Sequence, residues 1–135
     1  MLVITAAFAS IFALMFIKLS FDVIKLRRKN KVALGAGGVD DLDRAIRAHG
    51  NFSEYVPLGL FFIGALELNG APLELVALLG LILFVGRLFH FKGMLEQPPA
   101  FGNRVRGMKL TFAALGLSAI ANLAWVGYLF YSSMP

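Results

Sequence analysis

The chain contains no cysteine. That excludes a disulfide framework, a cysteine nucleophile and any thiolate-ligated metal centre. Charge is also scarce. Asp, Glu, Lys and Arg make up 16% of the 135 residues, against about 25% in soluble domains. There are two histidines, His49 and His90. Neither has a second ligand at metal spacing, so no metal site is expected. No glycine-rich phosphate loop follows a strand, and no Ser-His-Asp grouping stands out. Acidic residues number 8 against 13 basic ones, and the pI is near 9.9. In a soluble protein that balance would suit nucleic acid. In a chain this apolar, basic residues set orientation or meet anionic lipid, and no nucleic-acid partner is expected.

What is present is hydrophobic. Apolar residues reach 59% and mean hydropathy is +0.76, which excludes disorder and disfavours a soluble globular domain. Four apolar segments stand out, at about residues 2–26, 43–68, 73–91 and 108–131. A helix needs ~20 mostly apolar residues to cross the hydrocarbon core, and it satisfies its own backbone hydrogen bonds there. The expected fold is therefore all-α and integral to the membrane: a four-transmembrane-helix bundle forming one domain over residues 1–135. Ala7-Phe8-Ala9 has a cleavage-like pattern but comes too early for a signal peptide, so the first segment is read as a retained span.

The cations are distributed unevenly. Lys25, Arg27, Arg28, Lys29, Lys31, Arg44 and Arg47 flank the first long connection. Arg87, Lys92, Arg104, Arg106 and Lys109 flank the second. The short connection Asn69-Gly70-Ala71-Pro72 has Glu67 and Glu74 beside it and no Lys or Arg. By the positive-inside rule the two long loops are expected to be cytoplasmic, with both termini on the opposite side. Gly35 to Gly38 and Pro98-Pro99 read as breaks in these loops. Asp40, Asp41 and Asp43 are expected to cap the second helix and oppose its dipole. Lys18 and Asp22, at i and i+4, are expected to form a local ion pair.

The chemistry is concentrated at the start of the second span. Arg47, Asn51 and Glu54 stand at i, i+4 and i+7 and share one helix face. A carboxylate at membrane depth is expensive, and such residues face the bundle interior. A ligand site and an internal Arg47–Glu54 clamp both fit that spacing. Pro57 falls inside the same helix. On the third span Arg87, His90 and Met94 share a face at i, i+3 and i+7. The fourth opens with Asn103-Arg104-Val105-Arg106, and Trp125, Tyr128 and Tyr131 form an aromatic group near its far end.

These motifs resemble a known family. Arg47-Ala48-x-x-Asn51-x-x-Glu54, followed by Tyr55 and Pro57, is similar to the helix 2 pattern of the MAPEG family, the membrane-associated proteins in eicosanoid and glutathione metabolism. Gly86-Arg87-x-x-His90 resembles their helix 3 end, and arginines opening helix 4 fit as well. The overall flavour is that of small bacterial members, which implies a multi-pass protein of a bacterial inner membrane. The resemblance implies a homotrimer surrounded by membrane lipids. It implies glutathione as co-substrate, without metal, bound between subunits near the cytoplasmic face. Arg47, Asn51, Glu54 and Tyr55 match positions that contact glutathione, and Arg87 and His90 match positions that help line the site. An arginine at the start of helix 4 stabilises the thiolate, with Arg106 preferred and Arg104 the runner-up. Met94 stands where several catalytic relatives carry a tyrosine. The implied activity is glutathione-dependent transfer to, or peroxide reduction of, a lipophilic small molecule. The alternative is a non-catalytic membrane ligand-binding protein that keeps the fold. A small transporter fits less well, since the broken helices and repeats expected of many transporters are missing.

Overall fold

The structure is a computed structural model and describes residues 1–96 and 101–134. Four helices follow one another: α1 (Val3–Asn30), α2 (Asp40–Leu68), α3 (Leu73–Leu95) and α4 (Phe101–Ser132). Among the described residues there is no strand. Val3–Asn30, Leu73–Met94 and Phe101–Ser132 are long and apolar enough to cross a membrane. Helix α2 is 29 residues long, ample at 1.5 Å per residue. Its first half carries the Asp, Arg and Glu residues that hold down its apolarity.

The helix limits differ from the hydropathy pattern mainly at the charged ends. Helix α4 begins at Phe101, about two turns before the apolar run, so Arg104 and Arg106 lie within the helix. Arginine is a good helix former, and a helix need not stop where the hydrocarbon does. The expected break at Pro98-Pro99 lies outside the described residues. Helix α2 begins at Asp40, with Val39 as its N-cap and no side-chain cap bond. Asp40, Asp41 and Asp43 therefore sit in the first turn and oppose the dipole without capping. Asp41 forms an ion pair with Arg44. Lys18 and Asp22 pair at 2.6 Å, as their spacing suggested. Helix α1 ends in a left-handed residue, Lys31 (φ 55), and the backbone N–H of Val32 returns to the Arg27 carbonyl at 3.0 Å.

Helices α2 and α3 form the centre of the bundle. Helix α1 packs on one side of them and α4 on the other, and α1 and α4 do not touch among the described residues. The buried core includes Phe12, Phe52, Val56, Ile63, Leu66, Val76 and Leu83. Phe12 joins its neighbours edge-on to Phe52, with ring centroids 5.9 Å apart. The outer faces of α1 and α4 expose Ile11, Leu14, Ile17, Phe112, Ile120 and Leu123, as lipid-facing helices do.

Two devices fix the helices lengthwise. At one end the Glu67 carboxylate of α2 accepts the backbone N–H of Ile4 (2.8 Å) and of Thr5 (2.7 Å), and the Thr5 hydroxyl (2.6 Å). A buried acid from another helix thus caps α1, whose own N-cap residue, Leu2, offers no side-chain acceptor. Nearby, the Trp125 indole N–H donates to the Asn69 carbonyl at 2.8 Å and ties α4 to the α2–α3 turn.

Towards the other end α3 and α4 approach backbone to backbone. A Cβ on Gly107 would collide with the main chain of His90, and one on Gly86 would lie 3.0 Å from the Thr111 nitrogen. Only glycine permits this approach, the small-residue packing used between membrane helices. Gly107→Val should therefore force the two helices apart, at a cost of roughly 1–3 kcal/mol by the usual penalty for overpacking. Thermal unfolding in detergent should show a clearly lower midpoint for Gly107→Val. Gly116→Ala, where an added Cβ meets open space, should leave it unchanged. Equal midpoints would remove the close contact from the account of the fold.

Candidate functional site

A cavity of about 420 Å³ opens at the end of the bundle where the α1–α2 loop lies. Helix α2 supplies one wall through Asp43, Arg47, Asn51 and Glu54, a single stripe that begins one turn earlier than the motif Arg47-Asn51-Glu54. Helix α3 contributes His90 and Met94, one turn apart, and α4 contributes Arg104. Gly35 and Ala36 close it from the loop, which Arg27 holds by donating to the carbonyls of Ala33 (3.1 Å) and Gly35 (2.9 Å). The cavity wall thus carries two guanidinium groups and two carboxyl groups. Salt bridges among the described residues are Lys18–Asp22, Asp41–Arg44 and Lys92–Glu96. No Arg47–Glu54 clamp is among them, so the polar stripe of α2 is not consumed by an internal pair.

Arg87 sits behind this wall. It is 1% exposed, the largest fully buried side chain among the described residues. Its Nη1 donates to the Asn51 side-chain oxygen at 2.8 Å, with a longer contact of 3.4 Å to the Asn51 carbonyl. Its Nη2 faces the Met108 sulfur at 3.7 Å, and its Nε has no partner. The guanidinium carbon lies 6.0 Å from the Tyr55 ring centroid, at the edge of cation–π range. A buried charge is ordinarily matched by a carboxylate. Arg87 has only neutral acceptors among the described residues, and its bond fixes the Asn51 side chain that lines the cavity.

The structure brings Arg47, Asn51, Glu54, His90 and Arg104 to one cavity, with Arg87 directly behind Asn51. Tyr55 does not line it. It packs edge-on against Phe112 of α4, with centroids 5.6 Å apart, on the Arg87 side. Arg106 is exposed and does not line the cavity either. Two positions along an α-helix differ by about 200°, so Arg104 and Arg106 cannot face the same space. His49 points away from the cavity. Its ring lies 4.6 Å from that of Phe16, and its Nε2 meets the Ser20 hydroxyl at 3.1 Å, joining α1 to α2. No cluster able to hold a metal ion occurs among the described residues.

Sequence reasoning missed three contributors. Asp43 was signalled by its place four residues before Arg47. Met108 and the Gly86–Gly107 contact carry no local signal, because they depend on how α3 and α4 cross.

Helices of this length and apolarity, with a mixed-charge cavity at one end of the bundle, define a helical membrane protein. The pattern of the MAPEG family matches residues 5–124, and the chain belongs to that family. It is similar to the inner membrane protein YecN of Escherichia coli K12, with 41% identity over 120 residues, 89% of this chain and 90% of that protein. YecN of E. coli O6:H1 matches with the same identity and coverage.

The neutral surroundings of Arg87 lead to a test of stability. Arg87→Met removes a buried charge with an unpartnered Nε while keeping much of its volume. It should leave the thermal midpoint in detergent unchanged or higher, as when buried ions are replaced by apolar residues. Asn51→Ala strips the guanidinium of its side-chain acceptor and should destabilise by about 1–3 kcal/mol. The reverse order would mark Arg87 as a structural keystone rather than a group kept for a ligand.

Proposed function

We propose that this protein is a membrane-embedded, glutathione-dependent transferase or peroxidase acting on lipophilic electrophiles in a bacterial inner membrane. The observation that carries the reading is the cavity that joins Arg47 and Glu54 of α2 with Arg104 of α4. Glutathione has two carboxylates, one ammonium and one thiol. Guanidinium groups match carboxylates in bidentate geometry, and Glu54 takes the ammonium. The cavity volume lies within the usual ~300–1,000 Å³ of small-molecule sites. No nucleophile of the protein's own is required, since the bound thiolate attacks the electrophile, which reaches it from the bilayer.

We assign the thiolate-stabilising role to Arg104, because it lines the cavity and Arg106 does not. A guanidinium stays protonated and cannot act as a base. Its role is electrostatic: it favours the thiolate over the thiol and so increases the nucleophile at working pH. Arg47, Asn51, Glu54 and His90 hold the rest of the tripeptide, with Arg87 and Tyr55 supporting Asn51 from behind. The assembly proposed with this reading is a homotrimer, the two basic long loops being cytoplasmic and both termini outside.

Met94 favours a second reading. Its thioether lines the cavity and supplies no hydroxyl to a polar ligand, as a binding protein without turnover would tolerate.

Calorimetry with glutathione and detergent-purified protein tests the site. Glu54→Gln should weaken binding by roughly ten- to a hundredfold, the ~1.5–3 kcal/mol of a hydrogen bond to a charged group, while the oligomer persists. Unchanged binding would exclude the Glu54–ammonium contact. The thiolate's ultraviolet absorbance followed against pH separates the arginines. Arg104→Ala should move the appearance of thiolate to higher pH and lower turnover roughly ten- to a thousandfold, and Arg106→Ala should do much less. Binding without thiolate or turnover in the wild type would establish the second reading. Reporter fusions after Lys31 and Asn69 should report opposite sides of the membrane, and the same side for both would refute the proposed topology.

A further inference from the structure

The carboxyl-terminal turns of α1 carry a second concave site, away from the cavity above. A notch of about 320 Å³ is lined by Phe21, Asp22, Ile24, Lys25 and Arg28. These residues fall on one face of the helix. Phe21 and Ile24 are exposed, at 64% and 41%, and each has a cation four residues, about one turn, closer to the end of the span: Lys25 beyond Phe21 and Arg28 beyond Ile24. Below them Leu14 and Ile17 extend the exposed apolar surface along α1.

Three nearby cations are already committed. Arg27 is bonded to the loop carbonyls, Lys18 pairs with Asp22 and Lys92 pairs with Glu96. The one acid in the notch, Asp22, is thereby neutralised locally. Lys25 and Arg28 have no ion-pair partner among the described residues.

We propose that this notch is a binding site for an anionic phospholipid of the adjoining leaflet. Lys25 and Arg28 hold the phosphate and the negative headgroup, and the acyl chains lie along Phe21, Ile24, Ile17 and Leu14. Charge complementarity selects the occupant. Two free cations directly above an exposed apolar track match a molecule that is anionic at one end and hydrocarbon at the other. A free phosphate would use only the cations, and a zwitterionic lipid would gain little from them.

Native mass spectrometry of the delipidated full-length protein in mild detergent tests this. Phosphatidylglycerol, phosphatidylethanolamine of the same acyl chains and inorganic phosphate are added separately. The wild type should retain phosphatidylglycerol over phosphatidylethanolamine by roughly tenfold, as two surface cations would supply. Lys25→Gln with Arg28→Gln should abolish that preference, and Phe21→Ser should weaken lipid retention with both cations in place. Both sets of positions are exposed, and unaltered elution on size exclusion checks folding. Lys109→Gln, an exposed cation on α4, should keep the preference. Equal retention of the two lipids by the wild type would overturn the proposal, and so would an unchanged preference in the double variant. Equal loss in Lys109→Gln would assign the effect to overall charge. Phosphate retained as firmly as lipid and untouched by Phe21→Ser would make the notch a plain anion site.

Discussion

The contact on which the candidate site depends is the approach of α3 and α4 at Gly86 and Gly107. Lipid offers hydrocarbon as apolar as any side chain, so there is no hydrophobic drive to pair two helices within it. Close van der Waals packing takes over, and small residues permit it. Here the backbone of α4 at Gly107 rests on the backbone of α3 at His90. Arg87 lies one residue beyond Gly86, and Arg104 lies three before Gly107. The distance that brings Arg104 to the same cavity as His90 is therefore set by the absence of a Cβ.

The rest of the bundle is organised around two unlike ends. At the end with the short turn, Glu67 caps α1 and Trp125 bonds to Asn69. The Glu67 contacts are buried or half-buried, the Trp125 bond is exposed, and each is direct and satisfies its groups. At the cavity end α1 is joined to α2 through His49, with Ser20 and Phe16. The polar residues of the α2 stripe face open space instead of one another. A tied end and an open end give a frame in which helix positions are fixed while one mouth keeps room for a ligand.

Much of this was legible in the sequence, for identifiable reasons. Helix number followed from apolar run length, because the bilayer sets a fixed span. The face shared by Arg47, Asn51 and Glu54 followed from helical periodicity alone, and the Lys18–Asp22 pair from its spacing. What was not legible depends on how helices meet. Glu67 read as a loop acid because its partners, Ile4 and Thr5, are more than sixty residues away. The start of α4 was obscured because hydropathy tracks the hydrocarbon boundary, whereas the helix continues past it. Which of Arg104 and Arg106 lines the cavity depends on the rotation of α4 about its axis, set where Gly107 rests on the main chain of His90.

The position of Arg87 bears on why such a site is arranged in two layers. A guanidinium in direct contact with a ligand would be free to adjust, and its charge would be screened by water entering an open cavity. Arg87 is instead enclosed, bonded to Asn51 and flanked by Met108 and the Tyr55 ring. Its charge therefore acts through a low-dielectric layer, where electrostatic effects carry further. Asn51 is polarised by that bond and held in one orientation, with the amide oxygen turned towards Arg87. The Asn51 NH₂ group is then left to serve as a donor at the cavity wall. A buried carboxylate beside Arg87 would stabilise the charge but cancel its field. Neutral acceptors keep the field and accept the cost in stability, an arrangement that makes sense where negative charge has to be met nearby.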